Sequence, residues 1–349
     1  TKVKLFAYSM IRFNIDTNSK AAVYRQLVDA VTEAVRKGSL KAGELVPSMN
    51  ALADELRISK ETVKRAYNIL SKNGILEARQ GKGFYVADDS TKDSVSVLFL
   101  MDKFSIYKQE IVHGFHQVLT VKSEDTILLF NQDISLFEYF INENLGRYDY
   151  YIISPHFSLD QNTQEKAMKI IKRIPNQKLI IVDRLIPGMV GNFGAAYQDF
   201  ENDVAIGLEQ GLMKLKSIGK LNVITLPASL YGSLIQRKIS GFCQENGIEV
   251  GFMSCAPEKV RKGDAFLVLT SQLDPGLISL VDNAKGMSVG TDYYIISYND
   301  SPIDRVVLNG LTTISTDFNE MGREIARMVN AKTLWKKHID FKMNKRNTF

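Results

Sequence analysis

Residues 47–86 decide the fold of the first part of the chain, and they read PSMNALADELRISKETVKRAYNILSKNGILEARQGKGFYV. Ser48 can cap one short helix, and Ser59 can cap a second helix that ends at Gly74. After Gly74 the apolar spacing changes from the helical period to the alternation of strands, around a turn at residues 80–83. Helix, turn, helix and hairpin in this order predict a winged helix-turn-helix.

A further helix precedes this segment and a polar stretch follows it. Residues 21–38, AAVYRQLVDAVTEAVRKG, carry apolar residues at helical spacing and end in glycine. Residues 88–94, DDSTKDS, lack aromatic and large apolar side chains and are predicted to form a linker. We therefore expect a winged helix-turn-helix domain (α+β) over residues 1–87 and a larger domain over residues 95–349.

In the larger domain, continuous apolar runs alternate with helical stretches. The apolar runs lie at 96–101, 126–130, 148–155, 178–183, 222–227, 265–270 and 293–298. The helical stretches lie near 105–121, 160–173, 200–218, 231–246 and 317–331. Continuous apolar runs are typical of strands buried on both faces of a parallel sheet. Repeated βα units over this length predict two α/β lobes with a cleft between them, where ligands bind at the carboxyl ends of strands.

Charge is unevenly distributed along the chain. Residues 1–87 hold 15 Lys and Arg against 8 Asp and Glu, whereas the whole chain has a formal net charge of only +5. A basic domain joined to a nearly neutral one indicates that only the first binds a polyanion such as DNA. No apolar run approaches the ~20 residues of a membrane span, and we expect neither a secretory signal nor a membrane partner.

The sequence also argues against several other classes of protein. Cys243 and Cys255 form no CxxC pair, which favours a reducing cytoplasm over a disulfide framework or a zinc site. The four histidines lack partners at metal-ligand spacing, so we expect no metal and no cofactor. Phosphate-binding loops, GxSxG and His-Glu metal motifs are absent from the sequence, and we therefore expect no enzyme activity.

The segment from Val23 to Val86 resembles the GntR family of winged helices, because PS, SxxTV and GKGFYV occur in that family's order and spacing. The resemblance implies that the helix after Ser59 enters the major groove with its N-terminus first. It further implies a set of residues that contact operator DNA: Ser48, Asn50, Ser59, Lys60, Thr62, Lys64, Arg65, Arg79, Gln80, Gly81, Lys82 and Gly83. Two departures alter operator preference: Asn50 stands where arginine is common, and lysines replace arginines that make bidentate guanine contacts.

The C-terminal part resembles the two-lobed, periplasmic-binding-protein-like effector domain of the LacI type. The resemblance lies in LNGLTTISTDFNEMGREIARMV (308–329), RKISGF (237–242) and the final FKMNKRNTF (341–349). A GntR-type DNA-binding domain (residues 1–87, the head) followed by a LacI-type effector domain (residues 95–349, the body) resembles the arabinose-repressor type. This combination implies a homodimer on a palindromic operator, with repression controlled by a monosaccharide or a sugar phosphate.

The same resemblance implies a sugar cleft. Tyr107 is expected to stack on the sugar, the pair Asp183–Arg184 to bind hydroxyls, and either Arg237 or Lys238 to supply a cation. The full set of candidates is Tyr107, His156, Asp183, Arg184, Arg237, Lys238, Gln272, Asp274, Asn299 and Asp300. Two alternatives stay open: a C-terminal domain that only dimerises or binds a partner, and a sugar-dependent activator.

Overall fold

The computed structural model describes residues 13, 15–16, 22–36, 38–87, 94–225, 229–269 and 275–349. The N-terminal domain has the predicted element order. Its elements are α1 (Val23–Arg36), α2 (Met49–Leu56), α3 (Lys60–Lys72), β1 (Leu76–Arg79) and β2 (Gly83–Val86). Strands β1 and β2 pair antiparallel around the predicted turn. The winged helix-turn-helix is therefore confirmed.

Local sequence signals account for the two short helices. Ser48 Oγ accepts a hydrogen bond from the Ala51 amide at 3.2 Å, and Ser59 Oγ accepts one from the Thr62 amide at 3.1 Å. Each serine thus caps its helix, as the sequence predicts. Tyr67 is buried in α3, and its hydroxyl donates to the Pro47 carbonyl at 2.7 Å. This bond ties α3 to the turn before α2, and so fixes the angle between the two helices.

The first lobe of the body is a parallel sheet with helices on both faces. Its elements are β3 (Ser94–Met101), α4 (Ile106–Val118), β4 (Lys122–Leu129), α5 (Ile134–Asn144), β5 (Tyr150–Ile153), α6 (Gln161–Ile171), β6 (Leu179–Arg184), β7 (Gly194–Gln198), α11 (Phe318–Ala331) and β13 (Lys336–His338). The strand order is β13-β7-β6-β5-β3-β4, and all neighbours run parallel.

The second lobe repeats this layout, with an antiparallel strand at one edge. Its elements are α7 (Asp203–Glu209), α8 (Leu212–Ile218), β8 (Lys220–Ile224), α9 (Gly232–Asn246), β9 (Glu249–Met253), β10 (Ala265–Val268), α10 (Pro275–Asn283), β11 (Tyr294–Tyr298), β12 (Thr312–Thr316) and β14 (Phe341–Asn344). The strand order is β14-β12-β11-β10-β8-β9, with β14 antiparallel to β12. The predicted two-lobed α/β body is confirmed.

The chain passes between the lobes after β7, after β12 and after β13. Three crossings at one side leave a cleft between the carboxyl ends of the two sets of strands, where ligands bind in such sheets. The closest packing within the first lobe is between α4 and α11. A Cβ at Gly322 would lie 1.9 Å from the Ile111 carbonyl oxygen, and one at Gly114 would lie 2.0 Å from the Asn319 carbonyl oxygen.

The structure departs from the predicted elements in several places. The helix expected over 200–218 is two helices, α7 and α8, and Gly211 between them packs closely against Met343 and Phe349. The pattern also missed α5, α10, β7, β9, β12 and β13. Residues 88–93 of the predicted linker lie outside the described residues. Within the described part of the chain, no helix combines the length and apolar character of a membrane span.

Candidate functional site

The predicted DNA-contacting residues lie on the exposed side of the N-terminal domain. All are exposed except Thr62, which is half-buried. Ser59, Lys60, Thr62 and Lys64 are at or next to the free N-terminus of α3, where backbone amides and the helix dipole favour phosphate. Arg79 to Gly83 form the tip of the β1–β2 hairpin. The proposed DNA-contacting residues of α3 and of the hairpin therefore belong to the same domain, and nearly all of their side chains are exposed.

Some cations of this face are already engaged. The Lys64 ammonium lies 3.6 Å from a Glu61 carboxylate oxygen, Arg79 forms an ion pair with Glu77, and the Arg65 guanidinium lies 3.9 Å from the centre of the Tyr24 ring. Both ion pairs are exposed, so they contribute little energy and can exchange for phosphate. Gly81 and Gly83 have φ values of 71° and 99°, which only glycine adopts easily at a tight turn.

A cavity with a volume of about 290 Å³ lies between the two lobes of the body. The first lobe lines it through residues at or after the ends of β3, β5, β6 and β7, and the second lobe through residues near α9 and β11. Lining side chains include Asp102, Tyr107, Lys108, His156, Asp183, Gln198, Phe200, Tyr231, Tyr298, Asn299 and Phe318. Both lobes thus supply polar and aromatic groups to one small space.

A buried polar network centred on Asp183 forms one wall of this cavity. Lys108 is 4% exposed, and its ammonium donates to Ser154 and Asp183. His156 Nε2 lies 2.7 Å from Asp183 Oδ2, and Gln198 Nε2 donates to Asp183 Oδ1 at 2.6 Å. Burial alone would raise the pKa of Asp183, but the charges of Lys108 and His156 outweigh it and hold that pKa far below its usual range.

This network also connects the two lobes. His156 Nδ1 lies 2.6 Å from the hydroxyl of Tyr231, which is at the start of α9 in the second lobe. The ring of Tyr231 stacks on Phe200, with centroids 4.1 Å apart. On the other side of the cavity, Tyr107 stacks on Phe318 at 5.0 Å. A ligand between the lobes would therefore meet aromatic rings from two directions.

Two residues at strand ends have an unusual backbone. Asp183 and Asn299 adopt left-handed φ values of 72° and 69°. Left-handed backbone at residues other than glycine is uncommon and is concentrated at binding sites and active sites. Both residues line the cavity, which supports its assignment as a binding site.

The cavity contains buried polar atoms without hydrogen-bond partners in the described part of the chain. They are Asp102 Oδ1, Tyr107 Oη, Gln198 Oε1, Tyr298 Oη and Asn299 Oδ1. An unpartnered buried polar atom costs about 1–3 kcal/mol. All five atoms belong to residues that line one cavity. A polar ligand that forms hydrogen bonds with them would therefore remove the free-energy cost of every unpartnered atom.

The structure brings together only some of the predicted effector residues. Tyr107, His156, Asp183 and Asn299 line the cavity. Gln272 and Asp274 lie outside the described residues. The remaining four candidates lie elsewhere: Arg184, Arg237, Lys238 and Asp300.

Other protein groups hold Arg184 and Asp300. The Arg184 guanidinium donates to Gln164 Oε1 at 3.2 Å and lies 5.3 Å from the centre of the Tyr231 ring, so it supports the cavity wall from behind. Asp300 forms a two-pronged ion pair with Arg346, at 2.7 and 3.1 Å, which anchors the end of the chain. Neither lines the cavity, contrary to the expectation from the sequence.

Arg237 and Lys238 lie in a separate groove between α7 and α9, beside Glu201, Glu209 and Glu245. The prediction that Arg237 or Lys238 lines the cleft is wrong, because the helical period of α9 turns both residues away from its buried face. Ile235, Ile239 and Phe242 form its buried stripe, so the intervening residues 237 and 238 lie outside that stripe.

Sequence reasoning missed Lys108, Gln198, Phe200 and Tyr231 as site residues, whereas it placed Asp102 and Tyr298 beside the cleft without naming them as ligand contacts. For Asp102 and Tyr298 a signal existed, because both follow or end a predicted buried strand. No signal in the sequence pointed to Lys108, since a lysine in the first turn of a helix is usually solvated.

Comparison with known proteins agrees with this architecture. Residues 23–86 match the family described as bacterial regulatory proteins, gntR family, and residues 244–339 match the periplasmic binding protein-like domain. The HTH-type transcriptional repressor YtrA of Bacillus subtilis (strain 168) is 32% identical over 102 residues, which are 29% of this chain and 78% of YtrA.

Two solved structures are similar to the body. The trehalose repressor from Escherichia coli has a TM-score of 0.55 at 13% identity, covering 72% of this chain and 100% of that one. The lac repressor dimer bound to operator and the anti-inducer ONPF has a TM-score of 0.54 at 15% identity, covering 83% of this chain and 91% of that one. At such identities, the likeness shows the fold alone.

A winged helix with an exposed recognition helix, joined to a two-lobed binding-protein-like body, defines a DNA-binding transcription regulator. The match to YtrA and to the family profile places the chain within that class. The chain belongs to the gntR family of bacterial regulatory proteins.

Proposed function

We propose that this regulator is a cytoplasmic repressor that binds a palindromic operator as a homodimer and is released by a monosaccharide bound between its lobes. The proposed boundaries are residues 1–87 for the DNA-binding domain, 88–94 for the linker and 95–349 for the effector domain. The observation that carries the effector site is the group of five unpartnered buried polar atoms around one cavity of about 290 Å³.

The chemistry of the cavity suits a small polyhydroxylated ring. Hydroxyl groups both donate and accept, so they can bond the oxygens of Asp102, Gln198 and Asn299 and the hydroxyls of Tyr107 and Tyr298. Aromatic rings pack against the C–H faces of a sugar, and the cavity volume is at the small end of ligand sites. A phosphorylated sugar fits less well, because the buried Lys108 is already paired with Asp183.

Control of DNA binding follows from the position of the cavity. Asp102 and Asp183 belong to the first lobe, whereas Tyr231 and Tyr298 belong to the second. A ligand that bonds both lobes stabilises the closed arrangement and changes the spacing of the two heads in a dimer. It releases the operator only if it binds the DNA-incompetent state more tightly, by a coupling of typically ~1–3 kcal/mol.

For DNA binding, we assign the exposed residues of α3 and the hairpin, together with Ser48 and Asn50. The lac repressor, a dimer in its operator complex, supports the proposed homodimer by analogy of fold. Two winged helices related by a two-fold axis match two half-sites of a palindrome.

The test is a thermal-shift screen of the full chain with monosaccharides, followed by operator binding with and without each hit. Operator DNA would be selected from a random library. A ligand at 100 times its Kd stabilises the native state by ~2.7 kcal/mol, which a melting curve resolves. A hit that weakens operator binding supports the proposal. A hit that strengthens it indicates an activator, and no hit favours a domain that only dimerises or binds a partner.

A further inference from the structure

The inner wall of the cavity holds two buried carboxyl groups, Asp102 and Asp183, beside two buried basic groups, Lys108 and His156. Asp102 and Asp183 are 3% and 4% exposed, and the one buried lysine of this wall, Lys108, is 4% exposed. The Lys108 ammonium donates to Asp183 and Ser154, but it lies 3.7 Å from Asp102 Oδ1, beyond hydrogen-bond distance. Asp102 therefore keeps a buried oxygen without a hydrogen bond.

Among the residues that the structure describes, the other titratable and charged groups around Asp102 do not supply the missing donor. Both ring nitrogens of His156 are engaged, Nε2 with Asp183 and Nδ1 with Tyr231. Lys103 lines the cavity, but its side chain is exposed, so its charge is solvated. A buried charged group is stabilised most when it is both paired and hydrogen-bonded, so a ligand that donates a hydrogen bond to Asp102 would complete its pairing with Lys108.

The remaining unpartnered atoms also favour a ligand that donates. Gln198 Nε2 donates to Asp183, which leaves the amide oxygen of Gln198 as a buried acceptor without a hydrogen-bond partner. Asn299 Oδ1 is a second amide acceptor, and the hydroxyls of Tyr107 and Tyr298 can accept as well. A protonated amine offers three donors and no acceptor.

Aromatic rings complete a surface suited to a cation. The pairs Phe200–Tyr231 and Tyr107–Phe318 line the cavity from two directions. The faces of such rings carry partial negative charge and attract ammonium groups, most strongly where water is excluded. Charge, hydrogen-bond demand and aromatic surface thus point to the same chemical group.

We propose that the effector carries a protonated primary amine that binds against Asp102, as in an amino sugar or an aminopolyol of monosaccharide size. This inference rests on the proposed effector function of the cavity and specifies its ligand. The hydroxyls of the same ligand bond Gln198, Asn299 and the two tyrosines. Neutral parent sugars bind more weakly, and phosphorylated sugars are disfavoured because Asp102 repels an anion and Lys108 is already paired with Asp183.

Matched ligand pairs test the proposal directly on the full chain. The probes are glucosamine with glucose, galactosamine with galactose, mannosamine with mannose, an aminoinositol with inositol, and glucose 6-phosphate. In at least one pair, the amine should produce the same shift in melting temperature as its neutral parent at a concentration at least ten times lower. Equal affinity within every pair, or tighter binding of glucose 6-phosphate, would overturn the amine while leaving the effector cavity in place. No shift with any probe would overturn both proposals.

Two substitutions separate the charge from the shape of the site. Asp102→Asn should abolish the preference for the amine while binding of the neutral parent persists. Asn299→Asp adds a carboxyl group at another unpartnered acceptor, in a backbone conformation that Asp tolerates. This variant should raise the preference for the amine over its neutral parent about tenfold. Glu124→Gln, an exposed change on β4 outside the cavity, is the matched control and should change neither. An unchanged preference in both Asp102→Asn and Asn299→Asp would place the amine elsewhere and contradict the proposal.

Discussion

Among single residues, Lys108 determines the electrostatics of the cavity. It is a buried lysine whose ammonium faces Ser154, Asp183 and Asp102. Removing one partner of a buried ion pair costs more than the pair contributes, since the other charge stays buried without compensation. Lys108 thus allows a second carboxyl group to remain in the cavity at all.

Lys108→Met should lower the free energy of unfolding by about 3–5 kcal/mol, measured by urea denaturation at neutral pH. Lys122→Met, an exposed lysine on β4, is the control and should stay within about 0.5 kcal/mol of the parent. Adding Asp183→Asn to Lys108→Met should restore part of the stability, because it removes the uncompensated charge. A decrease below about 1 kcal/mol in Lys108→Met would show that the pair is solvated.

Asp183 makes stability depend on pH in a defined direction. Its pKa is lowered in the folded state, so its stabilising contribution is present above the unfolded pKa of ~3.9. That contribution declines as pH falls below this value towards the folded pKa. Unfolding curves between pH 5 and pH 2 should show this decline, and Asp183→Asn should reduce its slope. An identical slope in the variant would contradict the assignment.

The partners of Lys108 explain why the sequence did not reveal it. Ser154 and Asp183 are 46 and 75 residues away along the chain, so no local spacing records the network. Asp183 itself was predicted, because it directly follows an apolar run. The Arg237 and Lys238 assignment failed because family position was given priority over the helical period, which places neither in the buried stripe of α9.

Among the helices and strands, local signals determine most of the N-terminal domain. Caps, turn glycines and apolar periods are all visible within residues 47–86, and each corresponds to an observed element. In the body, long apolar strands were predicted, whereas short or polar ones such as β9 and β12 were missed. Their strand conformation depends on neighbours in the sheet, which a single sequence does not show.

The N-cap of α3 allows stability and DNA binding to be separated. Ser59→Ala removes the cap and should cost about 1 kcal/mol of stability, with weaker operator binding. Ser59→Asp preserves a capping oxygen, and its charge favours the helix N-terminus but repels phosphate. We therefore expect near-parental melting and strongly reduced operator binding for Ser59→Asp. Full operator affinity in Ser59→Asp would exclude a phosphate contact at this helix end.

The crossing of α4 and α11 makes a similar prediction for packing. Gly322→Ala places a Cβ 1.9 Å from the Ile111 carbonyl oxygen, so the helices must separate, at a cost of about 1–3 kcal/mol or more. Gly241→Ala in α9 is the matched control, because a Cβ there has no neighbour within 4 Å. In a helix, that control should be neutral or stabilising by up to about 1 kcal/mol. Equal melting temperatures for the two variants would contradict the observed crossing.

On the scale of the whole chain, the distribution of charge indicates that the basic head binds DNA and the nearly neutral body binds the effector. The first 87 residues carry seven more basic than acidic residues, although the chain in total carries a net charge of only +5. Phosphate binding should therefore depend on the head alone and weaken with salt. The polar cavity lies in the body, so ligand binding should depend little on the charges of the head.

Lys64→Ala should therefore weaken operator binding by a similar factor on all operator variants. The slope of log K against log salt should decrease by about one for each phosphate that the variant no longer neutralises. Its effector-induced thermal shift should equal that of the parent. Lys122→Ala, which removes an exposed cation from the body, should leave the salt slope unchanged. If Lys64→Ala abolished both activities together, the head and body would fold or act as one unit. A decrease in DNA affinity alone would support separate DNA-binding and effector-binding domains.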